Sequence, residues 1–63
     1  LPKIPRIDAA EAEALLLNAG FIFVRSKGSH RIYMKAGKRF VLPFHVGKIL
    51  HPKIVKSLLA TIL

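Results

Sequence analysis

A chain of 63 residues without a cysteine can build one domain, cannot be stapled by disulfides or hold a thiolate metal cluster, and must be stabilised by packing. Its apolar content of 52% suits that demand, yet no apolar run nears the ~20 residues of a membrane span and no signal-peptide blocks open the chain, so a soluble cytoplasmic protein is expected. Eleven Lys and Arg against three acids give a formal +8 and an isoelectric point of about 10.7, more than solubility requires, which predicts a polyanionic partner: RNA, DNA or an acidic protein.

The three acids, Asp8, Glu11 and Glu13, precede nine basic residues that follow Ala14 without another acid. After an extended lead carrying Pro2 and Pro5, Asp8 and Glu11 have the spacing of a capping box, predicting a helix from about Ala9 to Ala19 that Gly20 ends in the left-handed region. Capping and the helix dipole account for the acids, which makes a carboxylate metal site unnecessary. Phe21 to Arg25 reads as a strand, and Ser26-Lys27-Gly28-Ser29 as a turn. His30 to Lys35 alternates as a half-buried strand, with Ile32 and Met34 expected inward and Arg31, Tyr33 and Lys35 outward. Ala36-Gly37-Lys38 is a tight turn into Arg39 to Leu42, a strand that Pro43 ends.

A last helix starts near Pro52, where Ile54, Val55, Leu58, Leu59 and Ile62 form an apolar stripe opposite Lys53, Lys56 and Ser57. The fold class is therefore α+β, in the order α-β-β-β-α. Residues 1–63 form one domain, a three-stranded antiparallel meander with both helices on one face.

On that arrangement the open sheet face would carry Arg31, Tyr33 and Lys35, either as a solvated surface or as a phosphate-binding face with Tyr33 stacking on a base. His30 stands apart, because it opens a strand after a Gly-Ser turn among Arg25, Lys27 and Arg31. Imidazole exchanges protons near neutrality, as RNA cleavage through the 2′-hydroxyl requires. An ordinary exposed histidine is the competing reading. Counting by twos puts His30 on the side of Ile32 and Met34, hence partly buried at the sheet end. His45, followed by Gly47 and Lys48, lies in a loop that can approach the first turn and offer a second imidazole or a phosphate contact. His51 reads as helix-boundary material. The three histidines lack zinc-ligand spacing, and no Ser-His-Asp set, phosphate loop or carboxylate pair is present.

Lys3-Ile4-Pro5-Arg6, Asn18-Ala19-Gly20-Phe21, the run from Val24 through Gly28-Ser29-His30 to Tyr33, and Leu42-Pro43-Phe44-His45 with Gly47-Lys48 together resemble the HicA family over essentially the whole chain. The resemblance implies a fold similar to double-stranded-RNA-binding domains and cleavage of mRNA that needs no metal or other cofactor and stops translation. It also implies neutralisation by a HicB-like antitoxin and maps the family's catalytic histidine onto His30. Arg25, Lys27, Gly28, Ser29, Arg31, His45 and Lys48 are then the expected RNA contacts, on a toxin monomeric when free and not bound to membrane. A non-catalytic RNA- or DNA-binding module has the same charge and fold, and a domain that only meets an acidic protein is the third reading.

Overall fold

Asp8 starts the first helix as its spacing from Glu11 predicts: the Glu11 amide donates to Asp8 Oδ1 at 2.8 Å and the Asp8 amide to Glu11 Oε1 at 3.1 Å. In this computed structural model residues 6–63 are described. The lead with Pro2 and Pro5, and Lys3-Ile4-Pro5 of the motif, lie outside the described residues. Helix α1 spans Ala9–Asn18 and buries Ala9, Ala12 and Leu16, one stripe whose alanines let the helix lie close to its neighbours. It stops at Gly20, φ +100°, with the Phe21 amide donating to Leu16 O and the Gly20 amide to Leu17 O. Those two bonds satisfy carbonyls the helix end would otherwise leave open. Removing the N-cap by Asp8→Ala should cost about 1 kcal/mol, read as a lowered urea midpoint with unchanged slope.

Strands β1 (Ile22–Lys27), β2 (His30–Lys35) and β3 (Lys38–Pro43) form the expected antiparallel meander in the order β1-β2-β3. Strand β1 runs two residues past its expected end, so the first turn is Gly28-Ser29 alone, with Gly28 at φ +61° as a two-residue hairpin demands. Likewise Lys38 pairs with Lys35, leaving Ala36 (φ +48°) and Gly37 (φ +83°) as the second turn. Helix α2, Pro52–Ile62, buries Val55 and Leu58 and half-buries Ile54, Leu59 and Ile62, while Lys53, Lys56 and Ser57 face solvent as the periodicity predicts. Both helices pack on the sheet face of Tyr33, Phe40 and Leu42, and on each other.

The faces of β2 are the reverse of those expected from the sequence. Tyr33 is 0% exposed and sits among the core residues, whereas Ile32 and Met34 are half-buried on the open face. The largest side chain of the strand goes where two helices cover it, and its hydroxyl is satisfied by Glu13 Oε2 at 2.5 Å. Arg31 and Lys35 share this side at the two ends of the strand and carry their charged heads outward along apolar stems. Arg31 reaches Glu13, and Lys35 donates to the Ala19 carbonyl at the end of α1. Tyr33 is therefore not available to stack on a base.

Candidate active site

His30 is the first residue of β2, paired with Lys27 on β1 and with Pro43 on β3. It shares a face with Ile32 and Met34, as counting by twos predicts. That face is the open one, so His30 is exposed instead of partly buried. Lys27, its cross-strand neighbour, projects on the same side.

Arg25 reaches this face by a device the strand pattern does not announce. The register shifts between Phe23, opposite Tyr33, and Arg25, opposite Ile32, which makes Val24 an extra residue. A bulge re-aims the side chains that follow it. Without it Arg25 and Lys27 would fall on the helix-covered side with Phe23. With it they join His30, and Arg39 flanks the same face opposite Met34.

The second loop meets the first turn, as expected. The Phe44 amide donates to Ser29 O at 2.6 Å, so the chain leaves β3 directly beside Gly28-Ser29 and carries exposed His45 past it. The Lys48 amide then donates to His45 O at 3.2 Å in a turn that places Gly47 at φ +77°. Lys48 is exposed, and Val46 at the tip is 89% exposed. A further tie, the Leu50 amide to Ile7 O at 2.9 Å, holds the end of the loop to the entry of α1. His51 is spent on the fold: its Nδ1 accepts the Lys53 amide at 3.1 Å and caps α2.

Arg31 stands on the opposite face from His30. Its guanidinium donates to Glu13 Oε2 at 2.9 Å, and its central carbon lies 3.9 Å from the Phe44 ring centroid. Neither Glu13 nor Phe44 was singled out from the sequence for this role; acids early in a helix carry no signal of a partner eighteen residues away. The Tyr33 hydroxyl first, and then Arg31, hold the Glu13 carboxyl below its ordinary value against the opposing effect of burial. Burial and Glu13 together push the Tyr33 hydroxyl up to about 12.

A carboxyl whose folded value is depressed stabilises the fold above its unfolded value, and that contribution is lost as pH falls through the folded one. The stability difference between the wild type and Glu13→Gln should accordingly be full at neutral pH and vanish on acidification below the ordinary 4.5, as followed by thermal melts.

The three carboxylates are thus all engaged, Asp8 and Glu11 in the cap and Glu13 with Arg31 and Tyr33. The open face at this end presents an imidazole with Lys27 beside it and Arg25 next along the same face of β1.

The family model of the HicA toxin of bacterial toxin–antitoxin systems matches residues 9–62. The chain belongs to the HicA toxin family. The match begins with the first residue of α1 and ends with the last of α2, so the Gly28-Ser29-His30 turn and the His45 loop both lie inside it. Membership in a HicA toxin family of toxin–antitoxin systems makes the chain a toxin component with a cognate antitoxin as partner. No curated protein and no solved structure matched the chain. Among the described residues of this HicA chain no helix is long and apolar enough to cross a membrane.

Proposed function

We propose that this HicA-family toxin is a ribonuclease that binds mRNA through phosphate contacts and cleaves it with His30 as the proton-transferring group. The observation that carries the reading is the placement of exposed His30 beside Lys27 on a face to which the Val24 bulge also brings Arg25. In such a reaction the ribose 2′-oxygen attacks phosphorus while the bond to the 5′-oxygen breaks. The 2′-hydroxyl proton must leave and the 5′-oxygen must gain one, and an imidazole serves either transfer near neutral pH. Lys27 and Arg25 oppose the negative charge that builds on the phosphoryl oxygens. The amides of Gly28 and Ser29, with His45 and Lys48 from the neighbouring loop, complete the proposed RNA contacts. The free toxin acts in the cytoplasm as a monomer.

RNA incubated with the purified protein in the presence of a chelator should yield fragments with 2′,3′-cyclic phosphate and 5′-hydroxyl ends, and a 2′-deoxy nucleotide at the cut site should block cleavage. Binding without any cleavage would leave the non-catalytic nucleic-acid-binding module as the function.

Affinity should also fall steeply with salt. Neutralising several phosphates releases counterions, so four or five contacts would lower affinity on the order of a hundredfold between 50 and 200 mM salt. A near-flat salt dependence measured by fluorescence anisotropy would contradict phosphate-dominated binding.

The cognate antitoxin is proposed to cover His30. Ile22, Ile32, Met34 and Val41 give the open face an apolar floor rimmed by Arg25, Lys27 and Arg39, which suits an acid-rimmed apolar surface better than a bare phosphate chain. Hydrogen exchange on the isolated complex should show protection across β2 and the first turn.

A further inference from the structure

The two sequence neighbours of His30 are both fastened to one residue. Ser29 accepts the Phe44 amide through its carbonyl at 2.6 Å, and the Arg31 guanidinium lies on the Phe44 ring with 3.9 Å from its central carbon to the centroid. On its other side Arg31 donates to Glu13 Oε2 at 2.9 Å, an oxygen that also accepts the Tyr33 hydroxyl at 2.5 Å. Phe23 adds an edge-to-face contact with Tyr33, at 5.7 Å between centroids and 62° between planes. Helix α1, strand β2 and the loop after β3 therefore meet at Arg31, one residue from His30 and on the opposite side of the sheet.

We infer that Arg31, held between the Phe44 ring and the Glu13 carboxylate, is a positioning residue that sets the direction of His30, and that Glu13 and Phe44 position Arg31. The inference rests on the ribonuclease reading of the same site. Arg31 is the one basic residue with a carboxylate at ion-pair distance among the described residues. Its charge is locally cancelled, whereas the other basic residues among those described have no carboxylate at that distance, so it contributes little to holding a polyanion. What it retains is geometry. A planar guanidinium can stack on a ring while donating in its own plane to a carboxylate, which an ammonium cannot do. The pair is also partly open to solvent, with side-chain exposures of 37% for Arg31 and 27% for Glu13. Ion pairs of that kind add little to stability, so variants that lose the clamp should still fold. Misplacing a reacting group by about 1 Å can cost on the order of a hundredfold in rate.

The test compares Arg31→Lys, Phe44→Leu and Phe44→Tyr with the wild-type full chain. Cleavage of a short RNA at varied concentration gives kcat and KM, and 15N relaxation of the free protein reports the main chain at Ser29, His30 and Arg31. Arg31→Lys and Phe44→Leu are expected to lower kcat about ten- to a hundredfold, with KM changed less than about threefold and His30 main-chain order reduced. Phe44→Tyr, which keeps the ring, should restore wild-type kcat. Wild-type kcat in Arg31→Lys would overturn the inference, since charge alone would then suffice. A raised KM at unchanged kcat would overturn it too, by making Arg31 a phosphate ligand. If wild-type protein cuts no RNA, the ribonuclease reading fails separately. The relaxation data then decide the clamp: loosening of His30 in Phe44→Leu supports it, and an unchanged main chain refutes it.

Discussion

Substituting His30 by alanine is expected to abolish RNA cleavage and growth arrest while leaving the fold and most RNA affinity in place. The side chain is exposed and opens β2 at its end, so truncating it leaves no cavity and removes no hydrogen bond that the fold uses. Loss of an acid-base group costs about a hundred- to ten-thousandfold in rate. Loss of a phosphate ligand would show mainly in binding. Without cysteine and with every carboxylate engaged elsewhere, the histidines are the ordinary groups left for proton transfer near pH 7. His51 is used as the cap of α2. His45 passes beside the first turn, which makes it the comparison of interest: shared proton transfer predicts a fall in turnover at saturating RNA for His45→Ala, and a phosphate contact predicts weaker binding instead. Undiminished cleavage by a folded His30→Ala protein would dismiss the assignment.

Tyr33→Ala should have the largest effect on the fold, and the same change at Ile32 or Met34 should have little. Truncating a fully buried aromatic costs about 3–5 kcal/mol, and here the Tyr33 hydroxyl also leaves Glu13. A domain this short has a net stability of only about 3–9 kcal/mol, so the variant should lose a large share of it, read as a sharply lowered thermal midpoint by circular dichroism. Ile32→Ala and Met34→Ala remove side chains half-open to solvent on the uncovered face and should each cost about 1 kcal/mol or less. The reverse ranking would contradict the burial of Tyr33 beneath the two helices.

That ranking marks where reading the chain residue by residue reaches its limit. The capping box at Asp8 and Glu11, the Gly20 stop, the two hairpin turns, Pro43 at the end of β3 and the apolar stripe of α2 were all legible, because each depends on groups a few residues apart. Excess positive charge and the Gly28-Ser29-His30 pattern are what the proposed site takes from the sequence. Strand β2 was misread because alternation shows that two faces differ but not which one the helices cover. Ile32 and Met34 alternate with Tyr33, and both faces carry apolar groups. Burial is settled by neighbours distant in sequence: Phe40 and Leu42 across the sheet and Glu13 on α1 complete a pocket for Tyr33 that no local pattern encodes. The extra residue at Val24 is similar, since a bulge exists only relative to the partner strand, yet it puts Arg25 and Lys27 beside His30. The Glu13–Arg31–Phe44 contacts join residues 18 and 13 positions apart, and only the packing of helix, sheet and loop brings them within reach.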